Sequence, residues 1–325
     1  MSDAPLAVIG AGAWGTALAI QAARSGPVAL WARDPARAAA MRGAGENPRL
    51  PGAALSGLRI TADAAEALAG AALCVLAVPV QHLRATLAAL SPALPPAVMV
   101  AKGVEAGRLA LPLEIVADCH PGLAAAVLSG PNFAHEVAAG LPAAATLASD
   151  DPALCDLAAA RLSTPGFRLY GSADPLGVQL CGAAKNVVAI AAGAAIGAGL
   201  GENARAALVA RALAEIARLV VASGGRAETA SGLSGLGDLL LTCTGSSSRN
   251  FALGHALGRG VPAAEALAGS SGVVEGAATA PALLARAESR GVEMPVCAAV
   301  VAVLDGRLSV RSAVERLMER PRRGE

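Results

Sequence analysis

The residues able to do chemistry sit in a few short stretches. Gly10-Ala11-Gly12-Ala13-Trp14-Gly15 has the spacing G-x-G-x-x-G. It follows an apolar β run at residues 6–9 and opens a helical pattern at residues 13–24, the context in which such a loop cradles a pyrophosphate. Gly10 permits a tight turn, Gly12 lets the backbone approach the phosphates, and Gly15 lets helix and strand pack closely. The helix N-terminus adds free N–H groups and a partial positive charge. Beyond the next β run stands Trp31-Ala32-Arg33-Asp34. An acid at this place holds a ribose 2′-hydroxyl, and an arginine favours a 2′-phosphate. Arg33 comes first, so acceptance of NADP is expected; the alternative is an arginine in solvent.

Two lysines are candidates for proton or substrate chemistry. Lys185, within Gln179-Leu180-Cys181-Gly182-Ala183-Ala184-Lys185-Asn186, opens an uncharged, apolar run. A lysine beside a buried helix is costly unless it has a purpose. Desolvation or a neighbouring cation would bring its pKa toward neutrality, where it could exchange a proton. Carbonyl reduction needs that proton, because a nicotinamide delivers only hydride. The alternative is a lysine that snorkels to the surface. Lys102-Gly103 follows a β run, where the alternative is a solvated loop lysine. Gly235-Leu236-Gly237-Asp238 precedes Gly245-Ser246-Ser247-Ser248-Arg249-Asn250, a stretch suited to an anion. Arginine offers a bidentate fork to phosphate, with serine and asparagine adding hydrogen bonds; the alternative is a flexible serine loop with a surface arginine.

These groups need a scaffold, and the first half of the chain supplies one. β runs at residues 6–9, 28–31, 73–78, 97–101 and 125–128 alternate with helical segments, and residues 143–148 and 167–170 extend the series. This alternation predicts an α/β fold, a Rossmann-type doubly wound parallel sheet with helices on both faces. In such sheets ligands sit outside the carboxyl ends of the strands. The glycine loop, Arg33, Pro79, Lys102-Gly103 and Ser129-Gly130-Pro131-Asn132-Phe133-Ala134 all follow predicted strands. From Asp174 the pattern turns helical: Leu208, Ala212, Ile216 and Leu219 mark one helix face, with Asn203 as its expected N-cap. The expected domains are therefore 1–172, dinucleotide-binding, and 173–325, all-α. Residues 320–325 are expected to fray.

Composition excludes several classes. The net charge is +1, from 26 basic and 25 acidic residues, so no global field attracts nucleic acid or a membrane surface. The uncharged run 187–201 is shorter than the roughly 20 residues of a membrane span and reads as a buried helix. Cys74, Cys119, Cys155, Cys181, Cys243 and Cys297 form no CxxC pair and read as reduced thiols of a cytoplasmic protein. His82, His120, His135 and His255 lack metal-ligand spacing, so no metal is expected.

Taken in order, Gly10–Ala19, Asn47-Pro48, Ala77-Val78-Pro79, Lys102-Gly103, residues 129–134, residues 185–193, Gly235–Asp238, Thr242-Cys243, Ser248-Arg249-Asn250 and Val274-Glu275-Gly276 closely resemble the bacterial NAD(P)-dependent glycerol-3-phosphate dehydrogenases. The resemblance spans nearly the whole chain. It implies reversible reduction of dihydroxyacetone phosphate to sn-glycerol 3-phosphate with NADP or NAD, supplying phospholipid synthesis, and a homodimer whose helical domain binds substrate. By position it implies Lys185 as proton donor and acceptor, with Lys102 and Asp238 contacting substrate and organising that lysine. Gly130, Asn132, Ser248, Arg249 and Asn250 would hold substrate. Ala13, Trp14, Arg33, Lys102, Ala134, Arg249, Val273 and Glu275 would lie along the cofactor, beside the glycine loop. Arg49 stands where the family often has tyrosine, Asn132 where serine or threonine is common, and Ala184 where leucine is usual.

The residues alone leave two rivals open. One is a dehydrogenase of the same architecture acting on a 3-hydroxy acid; the other is a dinucleotide-binding regulator without turnover. The proposed chemistry requires a nicotinamide held by the amino-terminal half to face the Lys185 ammonium.

Overall fold

The computed structural model describes residues 4–319 except Pro92, Ser246 and Ser271. The expected fraying of residues 320–325 lies outside the described residues. The chain divides into two compact units, Met1–Lys102 with Leu111–Val178, and Gly103–Ala110 with Gln179–Glu325.

The first unit is built on β1 (Leu6–Ile9), β2 (Val28–Trp31), β3 (Glu46–Asn47), β4 (Leu50–Ala54), β5 (Leu58–Thr61), β6 (Leu73–Leu76), β7 (Ala97–Met99), β8 (Ala125–Ser129), β9 (Ala143–Ala148) and β10 (Phe167–Ser172). Its 8-stranded sheet has the order β10-β9-β8-β7-β6-β1-β2-β5, and β3 pairs with β4 as a separate antiparallel ribbon. Every residue of β1, β6 and β7 is buried, as strands covered on both faces must be. The core they build is mostly Leu, Val and Ala, with Phe167 the largest fully buried side chain.

Three points correct the sequence reading. The sheet is not parallel throughout: β8 pairs with β9 antiparallel, so β9 and β10 run against the rest. Only the short helix Ala134–Ala138 separates β8 from β9, which suits a return rather than a crossover. β6 and β7 stop earlier than the apolar runs 73–78 and 97–101 suggest. In the first case Pro79 lacks an N–H and caps the helix Val80–Ala89, so the chain leaves the ladder before it. Lastly, β5 and the ribbon lacked a sequence signal: β5 carries Arg59, and β4 contains Pro51 and Gly52.

No strand occurs among the described residues beyond β10. The helix Pro175–Gly197 runs 23 residues, longer than the run 187–201 implied, because it starts well before Lys185. It is long and apolar enough to cross a membrane, yet 78% of its most apolar window is buried within the chain. It packs closely against the helix Arg249–Gly258: a Cβ on Gly254 would lie 1.9 Å from the Ile190 carbonyl oxygen. Only glycine allows backbones to meet at that distance, and the contact fixes the register between the segments that carry Lys185 and Arg249.

Asn203 is not an N-cap. The turn from the preceding helix closes earlier, with the Leu200 N–H bonded to Ala195 O at 3.0 Å. Leu200 therefore caps the helix Gly201–Ala222 and Asn203 falls in its first turn.

Candidate active site

In the first unit the candidate residues follow the carboxyl ends of parallel strands. Gly10 leaves β1 at φ +120°, and a Cβ there would lie 2.5 Å from Ala77 O. A Cβ on Gly15 would lie 2.1 Å from Gly10 O, so the helix Ala13–Ala23 sits directly on the turn. Gly12 is the N-cap of that helix, whose start has no side-chain cap and no acidic residue in its first turn. A Cβ on Gly12 would meet nothing within 4 Å. A helix N-terminus lacking its own cap, with open space before it, fits the pyrophosphate of a dinucleotide. Trp14 packs edge-on to Phe167, ring centroids 6.4 Å apart, which fixes the first helical turn.

Arg33 is exposed after β2. Asp34, the acid that could have held a ribose hydroxyl, caps the helix Pro35–Ala44, its Oδ1 accepting the Ala36 N–H at 3.0 Å. After β7, half-buried Lys102 donates to Gly130 O at 3.2 Å, joining two predicted substrate residues. Asn132 donates from Nδ2 to Ala144 O at 3.2 Å, and its buried Oδ1 has no partner among the described residues. That oxygen can accept a hydrogen bond from a hydroxyl. Ala134 opens the helix Ala134–Ala138.

The second unit brings Lys185 and Asp238 together. Lys185 Nζ donates to Asp238 Oδ1 at 2.9 Å and to Thr242 Oγ1 at 2.9 Å. The Thr242 hydroxyl in turn donates to the Asp238 backbone oxygen at 2.6 Å. The side chain of Lys185 is 12% exposed and that of Asp238 1%. The neighbour is thus a carboxylate rather than a second cation, and it accepts a hydrogen bond from the ammonium. Asp238 begins the helix Asp238–Thr244, directly after a π-helical turn, Leu233–Gly237. Irregular turns of this kind recur at functional sites.

Ser248 is the N-cap of the helix Arg249–Gly258, its Oγ accepting the Phe251 N–H at 3.2 Å. Asn250 donates to Asn186 Oδ1 at 3.0 Å and accepts the Gly276 N–H at 2.9 Å. It therefore ties the residue after Lys185 to the start of the helix Glu275–Glu288. Arg249 is exposed, and a Cβ on Gly272 would lie 2.8 Å from its Nη1. The fold so gathers Arg249 with the segment holding half-buried Glu275 and Val273, which is 52% exposed.

Sequence reasoning missed Thr242, Asn186 and Asn47 as working residues. Asn47 is fully buried and donates to Ala11 O at 3.2 Å and to Thr16 Oγ1 at 2.7 Å, holding the glycine loop from behind. Thr242 and Asn47 both stand inside segments that carry the family resemblance, and that is the one signal that could have found them.

Comparison with known proteins gives consistent results. A family model described as NAD-dependent glycerol-3-phosphate dehydrogenase N-terminus matches residues 5–155, and one for the C-terminus matches residues 174–315. The chain is 57% identical over 323 residues to a glycerol-3-phosphate dehydrogenase (NAD(P)+) of Acidiphilium cryptum, spanning 98% of both proteins. It is 53% identical over 328 residues to one of Azorhizobium caulinodans, again spanning 98% of both. The crystal structure of a glycerol-3-phosphate dehydrogenase from Coxiella burnetii superposes with a TM-score of 0.93 at 39% identity, covering 98% of this chain and 99% of that one.

Proposed function

The chain belongs to the NAD-dependent glycerol-3-phosphate dehydrogenase family, and on that premise we propose that it interconverts dihydroxyacetone phosphate and sn-glycerol 3-phosphate, supplying glycerophospholipid synthesis. The observation that carries this reading is the buried group Lys185, Asp238 and Thr242. A bound NADP or NAD supplies the hydride. Reduction also requires a proton on the carbonyl oxygen. The Lys185 ammonium has three N–H bonds. Asp238 Oδ1 and Thr242 Oγ1 accept from Nζ, which leaves one N–H for the substrate oxygen. In the oxidative direction the neutral amine takes the hydroxyl proton back. The Asp238 carboxylate balances the charge of the ammonium it accepts from.

Substrate is held by Ser248, Arg249 and Asn250 at the start of their helix, and by Lys102, Gly130 and Asn132. Arg249 provides the bidentate fork and the helix N-terminus the favourable dipole. The unpaired Oδ1 of Asn132 suits a substrate hydroxyl. The cofactor is held by the loop Gly10, Gly12, Ala13, Trp14 and Gly15, with Arg33, Lys102, Ala134, Arg249, Val273 and Glu275. Residues 1–172 act as the dinucleotide-binding domain and residues 173–325 as the substrate-binding and dimerisation domain of a cytoplasmic homodimer. The cysteines, none of them in a disulfide among the described residues, fit a reducing compartment.

The test follows reduced-nicotinamide absorbance with purified protein, offered dihydroxyacetone phosphate and, separately, short 3-oxo acids. Turnover confined to dihydroxyacetone phosphate supports the proposal. Turnover of the oxo acids alone, or undiminished turnover in Lys185→Ala, refutes it. Sedimentation of the purified chain as a monomer would refute the dimer.

A further inference from the structure

The glycine loop of the first unit is flanked by arginines placed where a cation is disfavoured. Arg37 lies in the first turn of the helix Pro35–Ala44, at the positive pole of that helix. Its half-buried guanidinium donates to Ala11 O, inside the glycine loop, and to Asn47 Oδ1 at 3.1 Å. Arg49 donates its backbone N–H to the same Asn47 Oδ1, also at 3.1 Å. One buried amide thus fastens both arginines to the loop. Burial, and then the Arg49 charge, hold the Arg37 guanidinium below the usual arginine range, with Asp34 opposing them. Asp34 makes no ion pair with either arginine, and among the described residues no carboxylate lies within 4.0 Å of their guanidinium nitrogens. Exposed Arg33 occupies the turn into the same helix.

Like charges held together at a positive helix pole, without a carboxylate partner, are arranged for an anion. The one the fold brings there must be attached to a ligand whose pyrophosphate lies on the loop that Arg37 and Asn47 hold. We infer that Arg37 and Arg49, with Arg33, grip a phosphate monoester on the ribose of the dinucleotide and are specificity-determining residues for NADP over NAD. The inference rests on the dinucleotide-binding reading above and deepens it by naming residues for the ribose phosphate beyond Arg33. Guanidinium groups suit the task because they pair bidentately with phosphate. A hydrogen bond to a charged group carries enough free energy that losing one costs about tenfold to a hundredfold in affinity.

The test measures binding of 2′,5′-ADP and 5′-AMP to the full chain by titration calorimetry. Arg49→Gln is the primary variant, because no hydrogen bond from its side chain occurs among the described residues; Arg37→Lys is the second. Expected results are a preference of wild type for 2′,5′-ADP and at least a tenfold fall in that preference in Arg49→Gln. Arg37→Lys, which keeps the charge and loses the fork, should show a smaller fall in the same direction. In steady state the ratio of kcat/KM for NADPH over NADH should fall with the fragment preference. A wild type that binds the two fragments equally, or an Arg49→Gln preference equal to that of wild type, overturns the inference. Because the fragments bind without turnover, either failure is separable from failure of the proposed reaction.

Discussion

The Lys185 ammonium stands 2.9 Å from the Asp238 carboxylate, with the carboxylate almost fully buried. A pair held this way makes two demands on the chain. On the proposed mechanism it presents a proton to substrate, and neither charge can be left alone without cost. Lys185→Ala should lower kcat by about 10²–10⁴-fold, the usual contribution of a positioned general acid, while dinucleotide binding persists. Lys185→Met should destabilise the fold by about 3–5 kcal/mol, because it strands the Asp238 charge. Adding Asp238→Asn should recover part of that loss. Urea unfolding of the single and double variants checks it, and additive destabilisation would show that the pair is uncoupled.

Thr242 is argued to be a positioning residue, since its hydroxyl accepts from Lys185 and donates to the Asp238 backbone. Thr242→Val keeps the shape and removes both bonds. The amine then gains rotational freedom, and kcat should fall about tenfold to a hundredfold on loss of one hydrogen bond to a charge. KM for dihydroxyacetone phosphate should change far less, and Thr242→Ser should restore most of the rate. Equal effects on kcat and KM, or no rescue by serine, would leave Thr242 with a packing role alone.

The parts of this arrangement legible in the sequence are those with a local signature. β1, β2 and β9 are apolar runs whose ends coincide with turn signals, so their bounds could be read directly. The glycine loop is legible for the same reason, since its spacing and its strand–helix context lie within a few residues. Lys185 could be singled out because a charge in an apolar run stands out, but its pairing with Asp238 spans 53 positions and leaves no periodic trace. The contact of Asn47 with Ala11 spans 36 positions and likewise leaves no periodic trace. β5 was missed because an edge strand tolerates a charge such as Arg59. Ser248 and Asn250 were legible as polar residues beside an arginine; that one caps a helix and the other bridges Asn186 to Gly276 is tertiary information.

The crossing of Pro175–Gly197 with Arg249–Gly258 should be the part of the helical unit least tolerant of added volume. A methyl group on Gly254 would lie 1.9 Å from Ile190 O, which is backbone and cannot turn aside. Gly254→Ala must therefore push the helices apart. Overpacking of this kind costs about 1–3 kcal/mol. It should also shift Asn250 relative to Asn186, so KM for the phosphate substrate should rise together with the loss in Tm. Thermal unfolding and steady-state kinetics on one preparation check both; an alanine variant as stable as wild type would mean the helices do not meet as closely as described.

Buried thiols make the fold sensitive to alkali in a calculable direction. Burial pushes Cys74 from its ordinary 9.0 up to about 12. Cys243 is likewise pushed up to about 12, first by burial, with Lys185 opposing and Asp238 adding to the rise. A thiol that ionises at higher pH in the folded chain keeps its proton there after the unfolded chain has lost it. Between pH 9 and 12 the folded state therefore binds more protons, and stability falls as pH rises. Each such thiol contributes a slope of up to about 1.4 kcal/mol per pH unit in that window and nothing below it. Other groups titrate there too, so the informative quantity is the difference between wild type and Cys74→Ala. The variant should be less stable at pH 8, where it lacks both the packing of the thiol and its hydrogen bond to Pro95 O at 3.7 Å, and the gap should narrow steadily as pH rises past 9. Urea unfolding at pH 8, 9.5 and 10.5 measures that gap; a gap independent of pH would mean that the Cys74 thiol ionises alike in the folded and unfolded chains.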